Sequence, residues 1–119
     1  MTRLPAAFLW DIQQACRAVR DFVGGADLAM YEANAMMRSA VERQLQNIGE
    51  AVSQLSKVDA ALAARIPRQR QLIAFRNVLA HGYAGLNNAQ VWRVAHENLP
   101  ELEGHVNDLI AELGPAPTP

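Results

Sequence analysis

From Asn34 onward, Met37, Val41, Leu45, Ile48, Val52 and Leu55 recur at intervals of three and four residues. That is the period of one face of an α-helix, and the run is far too long for a strand. Charged residues fall off this seam, so the segment is amphipathic and must be covered by other elements. Asn34 is placed to cap its start. Gly49 interrupts the helix-forming run at a cost of about 1 kcal/mol relative to Ala, which implies that another helix approaches closely there.

The flanking sequence offers the covering helices. Leu4-Pro5 opens a first helix through Phe8, Ile12, Ala15, Cys16, Val19 and Val23, and Gly24-Gly25 stops it. Asp27 can cap a short turn of helix before Asn34, and Asp59 another through Arg65. Ile66-Pro67 breaks the pattern before a helix from about Arg68 to Ala80. An Asn cap near Asn87 precedes a fifth helix around Val91 and Trp92, and Leu99-Pro100 starts a last one through Leu113. No alternating strand pattern is present. We expect an all-α fold: an up-and-down bundle of four main helices plus short ones, with residues 1–113 as one domain and 114–119 as a flexible Pro-rich tail. Trp10 and Trp92 are expected in the core or an interface.

A length of 119 residues suits one core, and no apolar run is long enough to span a membrane. Cys16 is the only cysteine, so it forms no internal disulfide; it reads as a small buried filler in a cytoplasmic protein. The net charge of −1 looks wrong for a nucleic-acid binder, but it hides an asymmetry. Between Ala60 and His96 stand Arg65, Arg68, Arg70, Arg76 and Arg93 with no Asp or Glu, whereas every charged residue after His96 is acidic. The basic stretch is either a solvated face balanced by an acidic helix or an anion-binding surface, and in the second case Arg68 and Arg70 are candidate RNA contacts.

Within that stretch, Phe75-Arg76-Asn77-Val78-Leu79-Ala80-His81-Gly82-Tyr83 crowds together a permanent cation, a side chain able to exchange protons near neutrality, and a phenol. Asn77 and His81 are four apart on one helix face, so the amide can orient the imidazole. Arg76 and His81 are five apart, roughly 140° around a helix at about 100° per residue. One straight helix therefore does not aim both at one point; a helix end or a second subunit is needed. Gly82 is a good left-handed helix stop, and by itself the His-Gly pair reads equally as a capping device.

This stretch, with its Arg-to-His spacing and Tyr83 one spacer beyond, resembles the motif of the HepT-like ribonucleases, the toxin branch of the HEPN superfamily. Ala40-Val41-Glu42-Arg43-Gln44-Leu45-Gln46-Asn47-Ile48-Gly49-Glu50-Ala51 is similar to that family's second-helix signature, and Val91-Trp92 and Leu99-Pro100-Glu101-Leu102 extend the likeness. The resemblance implies a homodimeric, metal-independent endoribonuclease with Arg76 and His81 catalytic and Asn77 supporting. It also implies a type VII toxin–antitoxin partnership with a cognate nucleotidyltransferase, which adenylylates Tyr83. No metal or other cofactor is expected. A different class remains open at this point: a non-catalytic helical module that binds nucleotide or RNA as a partner of a nucleotidyltransferase. The intact Arg76 and His81 pair favours the enzyme, because a binder needs the cation but not the proton carrier.

Overall fold

Helices begin where a side chain can satisfy their free N–H groups. In the computed structural model, which describes residues 3–81 and 87–114, Asp27, Asn34, Asp59 and Asn87 each accept from the backbone N–H three residues on, at 2.8, 3.0, 3.0 and 3.2 Å. They start α2 (Leu28–Ala33), α3 (Ala35–Val58), α4 (Ala60–Ala63) and α6 (Asn88–Arg93). Pro5 occupies the first turn of α1 (Pro5–Val23), and Gly24 ends it at φ 43°. α5 (Gln69–His81) has no such device: Arg68 precedes it at φ 60°, a left-handed conformation that costs a side-chain-bearing residue about 1–2 kcal/mol.

The layout is the expected all-α bundle, and no strand occurs among the described residues. α3 lies at its centre, packed against α1 on one side and α5 on the other; α1 also packs against α7 (Leu99–Leu113). Leu9, Ile12 and Val19 of α1, Val41, Ile48, Val52 and Leu55 of α3 and Leu99 and Val106 of α7 form the core between these layers. Cys16 is buried as a small filler, its thiol pushed up to about 12 chiefly by desolvation. Glu103 of α7 is buried too, and Arg20 of α1 binds both its oxygens at 2.9 Å, fastening the two helices together.

The last helix begins at Leu99-Pro100 as expected, but it is not separated from the one before it. α6 runs through a π turn (Val94–Asn98) straight into α7, with Val94, Asn98 and Leu99 all in right-handed helical conformation. Pro100 has no N–H to give and its ring crowds the carbonyl four residues back; the wider π turn absorbs both problems without breaking the helix. Of the core or interface expected for Trp10, the core is ruled out. Its side chain lies on the outer side of α1, 48% exposed, while Trp92 packs against the buried Tyr31 (ring centroids 5.4 Å) and stacks on His96 (5.3 Å). Tyr31 anchors α2 to α6, with its hydroxyl unpartnered among the described residues and its phenol pushed up to about 12 by burial.

Candidate functional site

Gly49 determines where α5 can lie. A Cβ there would fall 2.5 Å from Cβ of Arg76 and 2.8 Å from the carbonyl oxygen of Leu72, closer than any side-chain carbon is tolerated. The missing methyl lets α5 settle on α3 with the stem of Arg76 in the contact. The interior glycine of α3 is thus explained by the arginine of the site stretch.

From that seat the Arg76 guanidinium reaches two acceptors. Its Nε and Nη2 both donate to Oδ1 of Asn77, at 3.1 and 2.8 Å, and Nη1 donates to the Glu50 carboxylate. A guanidinium carries five N–H groups. Among the described residues, one N–H on each terminal nitrogen is therefore left over, a pair suited to two oxygens of a phosphate. Glu50 is itself held by Gln54, whose Nε2 donates to Oε1 at 2.8 Å. The Gln54 hydrogen bond, and after it that of Arg76, lower the Glu50 carboxyl below the ordinary carboxylate range.

The amide oxygen of Asn77 thus accepts from Arg76, one residue away, a partner the spacing had not pointed to. The reason is local: the arginine stem, pinned at Gly49, lays the guanidinium back across the Asn77 side chain. Glu50 was missed as a member of this group. Its presence in the second-helix signature beside Gly49 was the available signal, but the pairing spans 26 positions of sequence and has no periodic mark.

His81 is the last residue of α5 and is exposed. Arg70, Asn77 and His81, spaced by seven and four, share one face of α5. Arg70 is exposed and makes no ion pair among the described residues, so this face carries a cation about three turns, roughly 16 Å, before the imidazole. Arg68 is placed differently, 3.6 Å from Glu101 of α7. Arg65 likewise meets Glu112 of α7 at 2.7 Å. The basic stretch is thus partly balanced by the acidic helix, and Arg70 is the better placed of the two expected RNA contacts. Gly82 and Tyr83 lie outside the described residues.

Among the described residues no three His, Cys, Asp or Glu side chains cluster as a metal site, and no helix is long and apolar enough to cross a membrane.

A family model described as "Ribonuclease HepT-like" matches residues 12–109, a span that contains the whole of α3 and α5. The chain is similar to a protein of Methanocaldococcus jannaschii named "Putative RNase MJ1380", 30% identical over 84% of this chain and 91% of the relative. It is similar to "Putative RNase TTE0752" of Caldanaerobacter subterraneus, 28% identical over 91% of this chain and 96% of the relative. "Probable ribonuclease HepT" of Thermococcus cleftensis is 28% identical over 92% of this chain and 98% of its own length. No solved structure matches the chain significantly.

Proposed function

The chain belongs to the ribonuclease HepT-like family, and on that premise we propose that it is a metal-independent endoribonuclease acting as the toxin of a type VII toxin–antitoxin pair. The observation that carries the reading is the family match over residues 12–109, a span that includes Arg76 and His81.

In the proposed reaction His81 accepts the proton of a ribose 2′-OH as O2′ attacks the adjacent phosphorus. The O2′–P bond forms and the P–O5′ bond breaks, leaving a 2′,3′-cyclic phosphate, and a second imidazolium protonates the departing O5′. Arg76 meets the charge gathering on the phosphate oxygens with its two remaining N–H groups. Asn77 and Glu50 hold the guanidinium, so it need not be ordered when substrate arrives. Arg70 and, at the start of the helix, Arg68 contact the RNA backbone. The charge on phosphorus and both proton transfers are assigned to side chains, so no metal is required.

Two imidazoles imply two copies. Arg76 and His81 diverge by roughly 140° around α5, and a two-fold pairing of site helices would bring each His81 toward the other copy's Arg76. The half-open state of α5, which buries only Leu79, supports that pairing. Tyr83 stands two residues past His81. AMP added there by a cognate nucleotidyltransferase would put bulk and negative charge where an RNA phosphate must meet Arg76. The setting of such a pair is cytoplasmic.

The test joins switch to activity. Incubation with ATP and the cognate enzyme should add AMP-sized mass to Tyr83 and silence RNA cleavage by the wild type in parallel. Equal silencing of Tyr83→Phe would remove Tyr83 as the switch, and an active monomer in sedimentation would remove the composite site.

A further inference from the structure

Phe75, Val78 and His81 follow at intervals of three along α5, each step turning back about 60° around the helix. The first two line a groove of about 480 Å³ between α5 and the α6–π segment, with Val94 on the opposite wall. Arg68 and Arg93 stand on its lining together with the amides of Gln71 and Gln90, and no acidic residue lines it. Arg68 keeps its loose contact with Glu101, whereas Arg93 is exposed and makes no ion pair among the described residues. At about 1.5 Å of rise and about 100° per residue, Phe75 lies about 9 Å along the helix axis from His81 and about 120° around it.

We propose that this groove is the subsite for single-stranded RNA beside the scissile phosphate, with a nucleobase stacked on Phe75, its edge against the Gln71 and Gln90 amides, and a backbone phosphate on Arg93. The proposal rests on the ribonuclease reading for its substrate and adds how the strand is held. Charge selects the occupant: an apolar floor with cations and neutral amides around it complements a flat base carried on an anionic backbone. A second copy docking here through its own groove would set arginines against arginines. His81 is off the groove's face, so a strand held on Phe75 reaches the proposed proton carrier by winding about a third of a turn around α5, a nucleotide or two farther on.

The test uses a short 2′-O-methyl RNA carrying 2-aminopurine, which binds but has no free 2′-OH to react. Anisotropy should show Phe75→Leu binding roughly ten-fold more weakly than wild type, the size of one lost base stack. 2-Aminopurine quenching should disappear with it. Arg93→Gln should bind more weakly and lower the slope of log affinity against log salt by about 0.7, one phosphate contact on a single strand. Arg17→Gln, on α1, should bind as wild type does. Leucine keeps the apolar packing of residue 75, and Arg93 is exposed, so both variants are expected to fold. Wild-type affinity, quenching and salt slope in both variants would overturn the proposal. So would sedimentation showing that they lose self-association while binding RNA normally, since the groove would then be an interface between copies. Cleavage of unmodified RNA is a separate readout, so failure of the ribonuclease reading is distinguishable from failure of the groove.

Discussion

α3 and α5 lie against each other and are built in opposite ways. α3 starts on the Asn34 cap and buries Val41, Leu45, Ile48, Gly49, Ala51, Val52 and Leu55. α5 starts on a left-handed arginine, has no side-chain cap among the described residues and buries only Leu79. α3 touches neighbours on two sides, α5 chiefly on one. The contrast teaches where each task is carried. Packing on α3 supplies most of the burial that holds the bundle together, while α5 is held by a narrow strip and leaves most of its circumference open, as the proposed substrate and second copy require. A helix that must present Arg70, Asn77 and His81 outward cannot also bury them.

The contrast predicts two opposite classes of variant. Arg76→Ala and His81→Ala should lower RNA cleavage by roughly 10²–10⁴-fold, the range for losing a proton-transfer group or a charge-stabilising donor, with helical content unchanged by circular dichroism. Leu55→Ala should do the reverse. It should cost about 2–5 kcal/mol in denaturant unfolding, as truncation of a buried Leu does, with activity per folded molecule retained. Val78→Ala, on the open side of α5 at 37% exposure, should cost less than about 1 kcal/mol. If Val78→Ala destabilised as much as Leu55→Ala, the division between the two helices would fail.

Gly49→Ala tests the seam between them. The added methyl must push α5 away, an overpacking cost of about 1–3 kcal/mol set against about 1 kcal/mol gained from helix propensity. Stability should therefore change little, while activity falls because the Arg76 stem is displaced. Unchanged activity would show that the seat at Gly49 does not position the guanidinium.

The smallest effect concerns pH. The Glu50 carboxyl is lowered in the folded protein, first by Gln54 and then by Arg76, so its contribution to stability is present above the unfolded carboxyl range. That contribution is lost as pH falls through the depressed folded value. Because Glu50 is half-exposed, the difference between wild type and Glu50→Gln should be at most about 1 kcal/mol at neutral pH and should vanish in acid. A gap that widened toward low pH would contradict the sign.

The legible parts of this fold were local. Asp27, Asn34, Asp59 and Asn87 cap helices through contacts three residues long, and the α3 seam repeats often enough to declare its face. Arg76 and His81 stand out in the sequence through their chemistry and spacing, and their roles belong to the proposal. What could not be read depends on contacts across the chain. The Glu50 to Arg76 pair and the contact of Asn77 with Arg76 follow from how α5 lies on α3, and the acids of α7 that meet Arg65 and Arg68 from how the chain before α5 passes that helix. The π turn before Pro100 was hidden for another reason: a proline looks the same in sequence whether it starts a helix or is absorbed by a bulge.

The central claim is that α5 carries a metal-free transesterification. The most direct test is the chemistry of the RNA ends formed in EDTA. The account predicts 2′,3′-cyclic phosphate ends, or the phosphates that follow their hydrolysis, from the wild type and none from His81→Ala. Ends bearing 3′-hydroxyl and 5′-phosphate, loss of cleavage in EDTA, or equal cleavage by His81→Ala would contradict it.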